Sequence, residues 1–166
     1  HLHIPAEGTP LLASGDTVIA VIDWERRHRL MRMHTLLHLI CAIVDADITG
    51  CQIGPEKSRI DLNTENKPDK EMIQAQLDEL VAKDLMTAAR WITNEELVAQ
   101  PELVKTMSVR PPTGAGMVRL IAIQGVDLQA CGGTHVASTR EIGPIRVGKI
   151  ENKGKQNRRI NVHLED

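Results

Sequence analysis

At 166 residues and 18.4 kDa the chain has the size of one domain, which leaves no room for a two-domain enzyme of ordinary dimensions. Its 42 % apolar and 25 % charged residues are a globular composition, and a net charge of −2 excludes nucleic-acid binding through bulk positive charge, so any basic face must be local. With no Phe, no Tyr and only Trp24 and Trp91, a broad aromatic platform for stacked bases is excluded as well.

Residues 1–15, with Pro5, Gly8, Pro10 and Gly15, read as loop and turn leading into a strand at Asp16–Ile22. Position 1 is His rather than Met, so the chain is expected to start inside a longer one, with residues 1–20 as the end of something preceding. From Trp24 to Val44 there is no Gly or Pro, and Leu30, Met33, Leu37, Ile40, Cys41 and Val44 recur at spacings of three and four. Leu36, Leu39 and Ile43 widen that stripe, which predicts a central helix buried over its C-terminal half. Residues 48–63 read as a hairpin about Gly54-Pro55-Glu56, and Lys70–Leu85 as an amphipathic surface helix after Pro68. A strand at Ala88–Ile92 is followed by Thr93 and Glu96, a capping-box pair that opens a short helix to about Gln100. Pro101–Pro112 is irregular; Met117–Gln124, Ile145–Glu151 and Arg159–Leu164 are the remaining strands. Long helices between antiparallel-type pieces make α+β the expected fold class.

The three cysteines, Cys41, Cys51 and Cys131, are an odd number in a chain large enough to fold without staples, which fits a reducing, cytoplasmic setting. No apolar run reaches the ~18–20 residues that span a bilayer, and no charged segment precedes an apolar one at the start, so no membrane is expected as a partner.

Two motifs carry chemistry. His34 and His38 sit one helical turn apart on one face, and two imidazoles in an apolar helix need partners. Cys131-Gly132-Gly133-Thr134-His135 supplies a thiolate and an imidazole on a glycine-hinged turn, and three His with one Cys suit Zn²⁺. Four protein ligands usually mark a structural zinc, whereas a catalytic one keeps a position open. Residue spacing leaves that choice open.

Arg32-Met33-His34-Thr35 with His38, and Asp127 through Val136 around Cys-Gly-Gly-Thr-His, resemble the HxxxH and CxxxH motifs of the alanyl-tRNA synthetase editing domain. They are most similar to those of its free-standing AlaX-type relatives. Residues 50–54 and 57–61 resemble the family's segment after the first helix, and residues 149–160 its C-terminal strand pair. The resemblance implies a mixed, mainly antiparallel sheet packed with helices about a central zinc, with residues 1–20 as remnant or linker of an upstream β domain and 21–166 as the editing domain. It implies hydrolysis, in trans and without ATP, of the ester joining a wrong amino acid, serine or glycine, to tRNA(Ala). On this resemblance His34, His38, Cys131 and His135 are the metal ligands. Thr35 and Thr134 are candidates for sensing the serine hydroxyl, although Thr35 can also back-bond to a helix carbonyl and Thr134 can serve only as a cap. Gln52 is a candidate polar contact, and Gly132 and Gly133 offer backbone N–H groups to a developing oxyanion.

For the tRNA, Lys149, Lys153, Lys155, Arg158 and Arg159 stand against only Glu151, and Arg26, Arg27, Arg29 and Arg32 cluster at the start of the zinc-bearing helix. Of these, Arg26, Arg29, Arg32, Lys153, Lys155, Arg158 and Arg159 are the expected phosphate contacts, with solvated faces as the alternative. Two other functions compete with the deacylase: a non-catalytic tRNA- or protein-binding module with a structural zinc, and a zinc hydrolase acting on a small ester or amide. The latter lacks a His-Glu-x-x-His arrangement, since position 35 is Thr.

Overall fold

The Gly- and Pro-free stretch after Asp23 forms α1, Trp24–Val44, in the computed structural model, which describes residues 4–107, 109, 111, 113, 114 and 116–166. Asp23 caps it by accepting from the Arg26 N–H, and Asp45 ends it in the left-handed region, at φ 48°. The second half of α1 buries Met33, Leu36, Leu37, Leu39, Ile40 and Cys41, as its widened apolar stripe requires.

Next come β1 (Ile48–Gln52) and β2 (Lys57–Asn63), the expected hairpin, and α2 (Lys70–Ala82), capped by Asp69. β3 (Thr87–Thr93) leads into α3 (Asn94–Ala99) through a capping box in which Thr93 and Glu96 each satisfy the other's backbone. A 3₁₀ turn at Pro101–Leu103 follows, then β4 (Met117–Ile123), β5 (Asp127–Ala130), a second 3₁₀ turn at Thr139–Ile142, β6 (Ile145–Gly154) and β7 (Asn157–Leu164).

The strands form two antiparallel sheets, one of order β1-β2-β7-β6 and one of order β3-β4-β5. In the larger sheet Ile60 lies opposite Ile160, and their side chains join Leu62, Val147 and Val162 in a core shared with α1 and α2. The smaller sheet has a second, smaller cluster of Leu97, Leu103, Val118 and Leu120 beneath α3. The class is α+β, with α1 at the centre of the larger core. No helix among the described residues is long and apolar enough to cross a membrane.

Three local readings are corrected. Asp16–Ile22 is not a strand: Val18, Ile19, Val21 and Ile22 are exposed, and β propensity without a neighbouring edge yields no ladder. The amphipathic helix stops at Ala82 rather than Leu85, because Asp84 adopts a φ of 54°. Asp127–Ala130, absent from the strands expected, is β5, turned back onto β4 at Gly125, whose φ is 71°. Of the segment expected to be irregular, Ser108, Arg110 and Pro112 lie outside the described residues, as do positions 1–3.

Candidate metal centre

α1 delivers His34 and His38 from its buried half, and β5 delivers Cys131 and His135 from the loop that leaves it. The Cys131 N–H donates to the Arg119 carbonyl at 3.0 Å, which extends the β4–β5 ladder one residue past the strand. Arg119 then holds the loop from β4, donating to the carbonyls of Cys131 at 3.2 Å and Gly133 at 2.6 Å. As a result one donor atom from each of His34, His38, Cys131 and His135 lies within 4.8 Å of the others. The Cys131 sulfur is 3.5 Å from His34 Nε2 and 3.4 Å from His135 Nε2, close to the about 3.5 Å that separates thiolate and imidazole ligands on one tetrahedral ion.

Glycine at 133 is dictated by this approach. A Cβ there would overlap the His34 ring, 2.6 Å from its Nδ1, whereas a Cβ at Gly132 meets nothing within 4 Å. The Gly133 N–H points at the Cys131 sulfur, 3.4 Å away.

Electrostatics favour a cation here. Burial alone would raise the Cys131 thiol, yet hydrogen bonds from His135, His34 and His38 bring its pKa down to about 3, so the sulfur is a thiolate. Burial, reinforced by the neighbouring imidazoles and opposed by the thiolate, brings His135 down to about 4 and keeps it neutral. For His38, burial works against protonation, but Asp127 and the Cys131 thiolate outweigh it and raise its pKa. A thiolate with imidazoles is the state in which these side chains ligate, and the donor set fits a metal ion.

Each ring's Nδ1 has its own partner: the Thr134 carbonyl for His34 at 3.2 Å, the Thr35 hydroxyl for His135 at 3.1 Å, and Asp127 Oδ2 for His38 at 3.0 Å.

The structure places the other sequence candidates unequally. Thr35 is corrected: it is fully buried, donates to the Met31 carbonyl at 3.1 Å and accepts from the Val136 N–H at 3.3 Å, so its hydroxyl is spent inside the fold. Gln52 is exposed on β1 and accepts from Arg59 Nε at 3.2 Å. Gly132 and Thr134 are exposed beside the centre.

Among the basic residues, Arg32 and Arg158 are corrected. Arg32 is 6 % exposed and donates to the Ile142 carbonyl and Asp166; Arg158 is 8 % exposed and donates to the carbonyls of Gly154, Lys155, Asn157 and Glu65. These guanidiniums satisfy backbone oxygens within the fold. Arg29 donates to the Pro55 carbonyl and pairs with Asp166, and Arg159 pairs with Asp61, each remaining partly exposed. Arg26, Lys153 and Lys155 are exposed, with Lys153 3.0 Å from Glu151.

Sequence reasoning did not single out Asp127, Gln129 or Arg119. The available signal was strand alternation: Asp127, Gln129 and Cys131 fall at every second position of a run that pairs with β4. A cleft of about 350 Å³ adjoins His135, bordered by Trp24, His28, Met31, Thr87 and Arg119.

Comparison with known proteins defines the class first. The model of the threonyl and alanyl tRNA synthetase second additional domain matches residues 118–161, the span that holds β4, the Cys131–His135 loop and most of the last strand pair. An alanyl-tRNA editing protein AlaX-M from Methanosarcina acetivorans is 36 % identical over the whole of this chain and 71 % of its own length. One from Saccharolobus solfataricus is 39 % identical over 87 % of this chain and 63 % of its own. The alanine–tRNA ligase of Sulfurisphaera tokodaii is 32 % identical over 86 % of this chain and 16 % of the ligase. The chain belongs to the AlaX-M family of alanyl-tRNA editing proteins, and it spans 63 to 71 % of the length of the family members it matches.

Proposed function

We propose that the chain is a zinc-dependent aminoacyl-tRNA deacylase that edits tRNA(Ala) in trans, hydrolysing the ester of a wrong amino acid, serine first and glycine second. The observation that carries this reading is the convergence of His34, His38, Cys131 and His135 within 4.8 Å in a member of the AlaX-M family. These four residues would hold zinc, which supplies a Lewis acid or an orienting charge for an ester carbonyl.

The chain's own groups define the rest. Arg119 fixes the Cys131–His135 loop through two backbone carbonyls, so Cys131 is presented as a ligand clamped between two imidazoles rather than as a mobile nucleophile. Thr134, exposed and with its carbonyl on His34 Nδ1, is the candidate for contact with a serine hydroxyl, a role that the enclosed Thr35 cannot share. The cleft that His135 borders is the candidate place for the aminoacyl group. Of the candidate cations for the acceptor stem, Arg26, Lys153 and Lys155 are exposed.

The test is serine release from Ser-tRNA(Ala) by zinc-loaded protein, with Ala-tRNA(Ala) as the paired control. Selective release is expected, and its absence from folded, zinc-loaded protein would overturn the proposal. One observation favours a second reading, a binding module with structural zinc: four protein donors already complete a tetrahedral set.

A further inference from the structure

The three imidazoles of the centre are not held alike. His34 leans on a backbone carbonyl and His135 on a hydroxyl, but His38 has a carboxylate, with its Nδ1 3.0 Å from Asp127 Oδ2. This is also the most enclosed contact, with side-chain exposures of 6 % for His38 and 4 % for Asp127. Gln129 Nε2 donates to the same Oδ2 at 2.8 Å, and Gln129 is itself 3 % exposed, so the carboxylate is held from a second side.

We infer that Asp127, clamped by Gln129, is a positioning residue that fixes the His38 ring as the firmest arm of the metal centre. Accepting the Nδ1 proton commits the Nε2 lone pair to the metal side, and the carboxylate charge makes that nitrogen a better donor. In a buried pair this hydrogen bond is stronger than the carbonyl and hydroxyl contacts made by the other two rings. Strand geometry supplies the coupling: Asp127, Gln129 and Cys131 alternate along β5 and its one-residue extension, so one strand face presents orienter, clamp and ligand together. β5 therefore contributes to two arms of the centre, one directly through Cys131 and one through His38 on α1.

The inference rests on the reading of the four donors as a metal centre. The test measures zinc affinity by competition with a chromophoric chelator for wild type, Asp127→Ala, Asp127→Asn and Gln129→Ala, together with visible spectra of the cobalt-loaded proteins. Asp127→Ala is expected to weaken zinc binding about 10- to 100-fold, with Asp127→Asn between it and wild type because an acceptor oxygen remains, and Gln129→Ala losing least. The thiolate-to-cobalt band should persist in every variant while the ligand-field bands shift. A merely structural role would lower the melting temperature of the metal-free variants and leave the zinc affinity of the folded protein unchanged; that result would overturn the inference. Where Asp127→Ala does not fold, wild-type affinity in Asp127→Asn overturns it equally. Wild type that binds no zinc would overturn the metal centre and this inference together. Serine release is measured separately, so loss of the proposed activity with zinc affinities ordered as above would leave the inference supported.

Discussion

Substituting alanine at Gly133 should disable the centre, whereas the same substitution one residue earlier should not. The added methyl at 133 would stand 2.6 Å from His34 Nδ1, where ordinary contact begins near 3.4 Å, so the ring must retreat by about 0.8 Å or more. That displacement removes the 3.2 Å hydrogen bond to the Thr134 carbonyl and draws Nε2 off its 3.5 Å approach to the Cys131 sulfur. Neither Gly132 nor Gly133 has a positive φ, so alanine is tolerated by the backbone at both and the comparison isolates the side-chain clash. Misplacing a reacting group by about 1 Å costs on the order of 10²-fold, so Gly133→Ala should lower kcat/KM for serine release by about that factor, with weaker zinc binding in parallel. Gly132→Ala meets nothing within 4 Å and should stay within about twofold of wild type. Chelator competition and serine release provide the two readouts. Wild-type zinc affinity in Gly133→Ala would refute the steric account of the loop, as would equal damage from both substitutions.

Thr35→Val should cost about 1–3 kcal/mol by leaving the buried Val136 N–H and the His135 ring without their partner, whereas Thr35→Ser should retain most of that stability; denaturant midpoints decide. Asp61 is buried, but the guanidiniums of Arg159 and Arg59 outweigh that burial and hold its carboxyl below the usual range. Its contribution is therefore complete above the unfolded value of 3.8 and lost as pH falls through the lower folded value. Asp61→Asn should cost about 2 kcal/mol at neutral pH, and its stability should converge with wild type in acid. A gap that stays constant down to pH 2 would exclude this origin. Neutralising Lys153 and Lys155 together should flatten the salt dependence of tRNA binding by about 2 in log–log slope. Arg158→Gln should instead lower the melting temperature and leave that slope alone, because its guanidinium is spent on carbonyls.

The helices and the convergence of two His and a Cys–His pair were legible because they are written locally. The 3.6-residue period of α1, the Thr93–Glu96 capping box and the four-residue spacings of His34–His38 and Cys131–His135 all lie within one or two turns of chain. What was missed depends on contacts remote in sequence. Val18 to Ile22 has strand-forming residues but no neighbouring edge, and β5, only four residues long, is defined by its ladder to β4 rather than by its composition. Arg32 and Arg158 look like surface cations until Ile142 and Glu65, each remote along the chain, bring carbonyls to them. Thr35 is adjacent to a ligand in sequence, yet it turns inward because a helix places consecutive residues about 100° apart. Asp127 was invisible for the converse reason: its partner, His38, lies on a different element, and Gln129 acts only through Asp127.

The cluster of four donors also lies between two unequal bodies of structure. α1 is rooted in the larger core, while the Cys131–His135 loop leaves a sheet whose own cluster, among the described residues, buries Leu97, Leu103, Val118 and Leu120. Ile123 and Val136 reach into the larger core, Thr35 and His38 on α1 hydrogen-bond the Val136 N–H and Asp127, and Arg119 braces the loop; an ion held by the four donors would add a further link between α1 and β5. Binding of an ion to the folded state alone stabilises by about 2.7 kcal/mol at a hundredfold excess over Kd, and an ion held here would stabilise the smaller sheet against opening separately. Chelation should therefore release amide protection across β4 and β5 while β2 and β7, paired along seven residue positions from Lys57 to Asn63, keep theirs. Hydrogen exchange with and without chelator measures this directly, and uniform loss across both sheets would show that the centre stabilises the fold as a whole rather than joining its two parts.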